Sequence, residues 1–246
     1  GPSVALEASV VRTMASPDQD GRFKIGGYLL SLIQAAYNVV GVQVEGGPSW
    51  ASTDGYDIEA QVAANTPPDQ IRGMLQSLLA DRFRLSLRRE TRTLLIYELV
   101  VADGGLKIAA LKEGDCIPKS ELRWELVDLE APLFVCDGAR RRILSQSPET
   151  RPLPRWPRVT RIEAGGTSMS GLINFLSVDI DRVVVDRTGF AAPFNLLLDY
   201  AAPNDADASG PTIFEALEEQ LGLQLRPTSG PVDVLVIDGV QRPTLD

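Results

Sequence analysis

Arg22-Phe23-Lys24-Ile25-Gly26-Gly27 and Arg161-Ile162-Glu163-Ala164-Gly165-Gly166 follow one local script. Each is a short run ended by a glycine pair. The first leads into the apolar-periodic positions Leu29, Leu30, Leu32, Ile33, Ala36 and Tyr37, and the second into Met169, Leu172, Ile173 and Leu176. Both read as strand, turn, helix. Such a repeat sets the organisation of the chain before any single element does.

Outward from these two stretches the parallel continues. Val42-Gln43-Val44 and the alternating Tyr56-Asp57-Ile58-Glu59-Ala60-Gln61-Val62 follow the first helix. Val183-Val184-Val185 and Phe194-Asn195-Leu196-Leu197-Leu198-Asp199-Tyr200 follow the second. A further helix opens behind a proline in each half, at Pro68 with apolar residues at 71, 74, 75, 78 and 79, and at Pro211 with apolar residues at 213, 214, 217 and 221. Proline suits the first helical turn because its missing N–H has no partner there. Two strands then close each half: Leu85-Ser86-Leu87-Arg88 with residues 94–100, and Leu223-Gln224-Leu225 with residues 234–237.

The expected fold is therefore α+β. Two related β-α-β-β-α-β-β halves, residues 1–105 and 161–246, each carry a mostly antiparallel sheet with helices on one face. Residues 106–160 lack strong periodicity and read as an irregular connector. Cys116 and Cys136, the two cysteines of the chain, lie within it. A disulfide is the preferred reading, with two free thiols as the alternative. Closing a loop of this size stabilises a fold by about 3 kcal/mol on the chain-entropy account.

Composition narrows the chemistry. A chain of 246 residues with 44% hydrophobic residues can bury a sizeable core. Its net charge of −9 repels phosphate backbones, so nucleic acid is not an expected partner. No apolar run approaches the roughly 20 residues that span a bilayer, so no transmembrane segment is expected. The opening Gly1-Pro2 reads as the scar of a protease cut, which leaves any targeting segment ahead of Ser3 out of view. There is no histidine. That removes Ser-His-Asp triads, Cys-His dyads and His-bearing zinc sites, and leaves only hard oxygen-ligand ions such as Ca²⁺ open.

Several clusters could carry chemistry. Asp179, Asp181 and Asp186, together with Asp205 and Asp207, could hold Ca²⁺, although their spacing does not match the EF-hand loop. Their other reading is turn, cap and solvated loop. Trp50, Asp54, Tyr56 and Asp57 could line a ring- or carbohydrate-binding surface, or Trp50 and Tyr56 could be packing residues. Between Arg140 and Arg161 stand seven arginines against one acid, Glu149, with Trp156 and four prolines interleaved. Arg140, Arg141, Arg142 and Trp156 could grip an anionic partner; the alternative is a loop kept solvated by charge. Gly-x-Ser-x-Gly, Ser-x-x-Lys and P-loop patterns are absent.

The ordered set Gly46-Gly47-Pro48-Ser49-Trp50, Tyr56-Asp57-Ile58-Glu59-Ala60, Leu79-Ala80-Asp81-Arg82-Phe83, Arg89-Glu90-Thr91-Arg92, Val185-Asp186-Arg187-Thr188-Gly189, Leu221-Gly222-Leu223 and Val236-Ile237-Asp238 resembles a large soil-bacterial family of exported proteins of unknown function. Its domain also occurs fused to BlaR-type sensor metallopeptidases. The resemblance implies export and a paired-cysteine insert, which fits a bond between Cys116 and Cys136. It implies no catalytic motif. Each half is also distantly similar to the small interaction modules at the periplasmic ends of secretins and TonB-dependent receptors, an analogy of fold alone.

The leading expectation is an exported, periplasmic or extracellular binding or interaction module without a cofactor, recognising an unknown small molecule or envelope component. The alternative is an extracellular ester or lactone hydrolase assisted by Ca²⁺ or paired carboxylates, with its site between the halves. The oligomeric state is left open.

Overall fold

The computed structural model describes residues 21–63, 66–118, 121, 134–136, 138–145, 158–203 and 208–244. The chain is α+β. In order come β1 (Arg22–Tyr28), α1 (Leu29–Tyr37), β2 (Val44–Gly46), β3 (Gly55–Gln61), α2 (Pro68–Phe83), β4 (Ser86–Val101), β5 (Gly138–Ser145), β6 (Arg158–Thr167), α3 (Met169–Leu176), β7 (Val183–Asp186), β8 (Phe194–Tyr200), α4 (Ile213–Ala216) and β9 (Leu223–Gly239). The order strand, helix, short strand, strand, helix, long strand occurs in β1 to β4 and again in β6 to β9.

The strands form the sheets β1-β3, β2-β9-β4-β7 and β5-β6-β8. β1 with β3, β5 with β6, and β6 with β8 are antiparallel, while β2 runs parallel to β9. The chain divides into two compact units. One takes Gly1–Leu95, Asp181–Val183 and Ser229–Asp246, and the other takes Ile96–Ile180 and Val184–Thr228. The division thus passes through β4 and through β9.

Each unit has its own core, and helix periodicity explains both. In the first, α1 buries Leu29, Leu32, Ile33 and Ala36, and α2 buries Ile71, Leu75, Leu79 and Phe83 at four-residue intervals. Gln76 Nε2 donates to the Ala36 carbonyl at 2.8 Å, giving one orphan acceptor of the α1 C-terminus a partner. In the second unit, α3 buries Met169, Leu172 and Leu176 against Phe194, Leu196, Leu198 and Tyr200, the inward residues of β8.

Three element readings change. Residues 85–88 and 94–100 are expected as two strands, but 86–88 and 94–100 belong to the single strand β4, which starts after Leu85, and β9 likewise absorbs residues 223–225 and 234–237. The middles of these strands are polar. In the structure cross-strand partners hold them extended: Arg88 bonds Asp238, Thr91 Oγ1 donates to Asp233 at 2.9 Å, and Arg92 pairs with Glu45 at 2.5 Å. The expected strand at Val42-Gln43-Val44 begins only at Val44, after a helical turn at Gly41–Gln43. Within the stretch read as an irregular connector, Gly138–Ser145 forms β5, whose consecutive arginines mask the alternation.

A capping box opens α4. Glu215 Oε2 accepts from the Thr212 backbone N–H at 2.8 Å and its hydroxyl at 2.9 Å, while the Glu215 N–H donates to Thr212 Oγ1 at 3.3 Å. The Thr212 backbone N–H, then its hydroxyl, hold the Glu215 carboxyl below its ordinary value of 4.5. A depressed carboxylate contributes stability that is present above its unfolded pKa and lost as pH falls through the folded one. Thr212→Ala is therefore expected to lower the melting temperature at neutral pH and to flatten the loss of stability on acidification below that value. Denaturant melts at stepped pH check this; identical acid profiles for the two proteins would count against the cap.

Candidate binding recess

In the second unit β6 departs from regular pairing. Its register with β8 shifts between Ala164 and Thr167, so Gly165 and Gly166 form a bulge, with Gly166 at φ +66°. Asn195 of β8 holds it: its Oδ1 accepts from the Gly166 N–H at 3.1 Å, and its Nδ2 donates to the Asp115 carbonyl at 2.6 Å. α3 then begins, with Ser168 Oγ accepting from the Gly171 N–H at 3.2 Å. The corresponding helix of the first unit, α1, has Tyr28 at its N-cap and no side-chain cap.

Bulge and helix start border an open, shallow recess of about 300 Å³ lined by Gly138, Ala139, Ala164, Gly165, Gly166, Thr167 and Ser168. Three glycines make much of its wall peptide backbone, and two hydroxyl residues stand where the α3 dipole is positive. With the Gly138, Gly166 and Gly171 N–H groups bonded to Val135, Asn195 and Ser168, what the recess offers a small hydrogen-bond acceptor or anion is the positive end of the α3 dipole at Thr167 and Ser168.

The disulfide backs this recess. Cys116 and Cys136 are bonded, with Cα atoms 5.2 Å apart. Ile117 bridges Val135, and Cys136 bridges Gly165. The approach needs a glycine, because a Cβ at Gly165 would lie 2.5 Å from the Val135 carbonyl oxygen.

The residues singled out from sequence fall in several places. Arg242 lies over the Trp50 ring, 5.1 Å from Cζ to centroid, and its Nε donates to Asp54 Oδ2 at 3.0 Å. Tyr56 packs edge-on against Phe83 at 4.8 Å. Asp57 is exposed on β3, opposite Gly26. Trp50, Asp54 and Arg242 thus form one cluster, and Tyr56 packs against the core.

Arg141 Nη2 donates to Asp179 Oδ2 at 2.7 Å and its guanidinium lies 5.9 Å from the Tyr200 ring centroid. The buried Tyr200 hydroxyl donates to the same carboxylate oxygen. Burial, then the Asp179 hydrogen bond, pushes its pKa well above the usual tyrosine range. Arg140 and Arg142 pair in register with Glu163 and Arg161. Arg161 is bidentate to Asp199, at 2.7 and 2.6 Å. Gln220 lies on the outer side of that aspartate's backbone, accepting from its N–H at 3.0 Å and donating to its carbonyl at 2.7 Å. The amide therefore occupies part of the β8 edge as a neighbouring strand would.

Asp181 has a side chain 89% exposed and lies 3.9 Å from Arg182. Asp186 Oδ1 accepts from the Thr188 N–H and hydroxyl at 2.8 and 2.7 Å, closing a turn. Trp156, Asp205 and Asp207 lie outside the described residues. Among the described residues no group of three His, Cys, Asp or Glu side chains could hold a metal ion.

Sequence reading missed the recess. In the sequence Gly165-Gly166 reads only as a turn. The available signal was the continuation Thr167-Ser168, two hydroxyl residues following a glycine pair at a helix start, which Gly26-Gly27 lacks.

Fold and recess together define an α+β protein with a disulfide-backed, backbone-walled recess at a helix start. The chain belongs to the family described as protein of unknown function (DUF3738), whose match covers residues 30–240. No curated protein and no solved structure matches it.

Proposed function

We propose that this is an exported binding module that takes a small ligand, or a partner's chain end, bearing a carboxylate or phosphate group. The observation that supports the reading is the recess at Gly138–Ala139 and Ala164–Ser168, a space of about 300 Å³ lined largely by glycine and alanine beside the start of α3. Several carboxylates that could serve a hydrolase are engaged elsewhere: Asp179 with Arg141 and Tyr200, Asp199 with Arg161, Asp54 with Arg242, and Asp186 within its turn, while Asp57 and Asp181 are exposed. Among the described residues this favours binding over carboxylate- or Ca²⁺-assisted hydrolysis.

The −9 net charge opposes a polyanion, so the ligand class is one small acidic group. Export is supported by the disulfide, which persists in oxidising compartments. No helix among the described residues is long and apolar enough to cross a membrane.

The test is a thermal-melt screen with short carboxylates, phosphate esters and peptides with free carboxy termini. A ligand at about 100 times its Kd stabilises by about 2.7 kcal/mol. Ala139 is exposed at the recess, so Ala139→Trp fills the space without entering the core. The expected result is a stabilising ligand whose effect disappears in Ala139→Trp. Equal stabilisation of both proteins, or none from any acidic ligand while Ca²⁺ stabilises, would overturn the reading.

A further inference from the structure

We propose that the Cys116–Cys136 disulfide is a redox-sensitive clasp on the recess, so that its reduction frees residues 134–136 from Gly165 and opens the wall they back. The proposal rests on the recess reading for its consequence, but its test does not.

Residues 134–136 have few backbone attachments among the described residues. The Ile117 N–H donates to the Phe134 carbonyl at 2.8 Å and the Cys136 N–H to the Ile117 carbonyl at 2.9 Å. The Gly138 N–H donates to the Val135 carbonyl at 2.9 Å, and Cys136 bridges Gly165. The partner of this short segment is thus mainly Ile117, next in sequence to Cys116. The disulfide ties the pair together at its end, where a two-stranded contact this short is by itself marginal in water. Gly165 adds no side chain to grip the segment. In contrast, β6 and β8 are held by regular pairing over Thr160–Ala164 and by the buried residues of the second core.

Cys116 and Cys136 are both half-buried, so a small dithiol can reach them. The exchange is balanced. A thiolate of the dithiol attacks one sulfur, the cysteine opposite leaves as thiolate and takes a proton, and the dithiol's second thiolate displaces the other. The protein gains two thiols while the dithiol is oxidised to its cyclic disulfide.

The experiment is amide hydrogen exchange on the full chain, oxidised and after dithiothreitol. The expected result is acceleration by about tenfold or more at Ile117, Cys136 and Gly138, with Leu196 and Leu198 of β8 unchanged. The double variant Cys116→Ser with Cys136→Ser should reproduce that pattern. Oxidised Gly165→Ala, whose added methyl meets the Val135 backbone, should accelerate Gly138 while the intact bond keeps Ile117 and Cys136 protected. Unchanged exchange after reduction overturns the clasp, as does equal acceleration in β8, which would make the bond a general staple. Loss of ligand binding in Ala139→Trp with no effect of reduction would keep the recess and reject the clasp. The reverse pattern would reject the recess and keep a clasp on the fold.

Discussion

Asp179→Ala is expected to destabilise the protein by about 1 to 3 kcal/mol, because it strands the buried Tyr200 hydroxyl and removes the ion-pair partner of Arg141. The carboxylate is 9% exposed and takes both the Arg141 guanidinium and the Tyr200 hydroxyl. Removing it leaves a cation beside an aromatic face, with its neutralising partner gone. The lower end of the range applies if Arg141, which is 29% exposed, turns to water. Tyr200→Phe deletes one donor and keeps the ion pair, so it should cost about 1 kcal/mol. Urea unfolding of the single variants and of the Asp179→Ala, Arg141→Ala double gives the coupling. A double variant no less stable than Asp179→Ala is expected, since the stranded charge has gone with its partner. Strictly additive losses would show that the pair does not act as a unit.

Gly222→Ala should be similarly severe, at about 3 kcal/mol, for a backbone reason. Gly222 ends the helical turn Leu217–Leu221 at φ +67°, and a Cβ there would lie 2.0 Å from the Gly105 carbonyl oxygen and 2.9 Å from the Lys107 nitrogen. The left-handed conformation alone costs a residue with a Cβ about 1 to 2 kcal/mol, and forced displacement of packed backbone adds a comparable amount. The loop cannot move away freely, because Ala102 N–H donates to the Gly222 carbonyl and Lys107 N–H to the Leu221 carbonyl, at 2.9 and 3.0 Å. Gly189 is the control. It has a similar φ, +69°, with nothing within 4 Å of its Cβ position, so Gly189→Ala should show the conformational cost alone. Equal losses at both sites would mean that the close approach at Gly222 contributes nothing.

Much of the fold was legible because its signals are local. Pro68 with Ile71, Leu75 and Leu79 marks α2, and Pro211-Thr212-Ile213 with Glu215 marks α4 and its cap. The alternation in residues 194–200 reads directly as β8, whose inward residues are all buried. The site was much less legible. Thr167 and Ser168 look like an ordinary helix start until Gly138 and Ala139 arrive from β5, and nothing near Gly165 announces that Val135 will lie against it. The arginine-rich stretch misled for a related reason. Arg141 and Arg161 look like free charges in sequence, but their neutralising partners are 38 residues away, at Asp179 and Asp199.

By itself, then, the sequence determined the α+β class, the places of α1 to α4 and the exclusion of histidine chemistry. Periodicity, capping residues and composition act over a few neighbouring positions or over the whole chain at once. Only the tertiary structure decided that β2 pairs with β9, that β4 and β9 each run unbroken through polar middles, and that β5 joins β6 to make the recess. Strand pairing satisfies backbone groups between segments far apart in the chain, and a charged or glycine-rich segment becomes a strand once a partner supplies those hydrogen bonds.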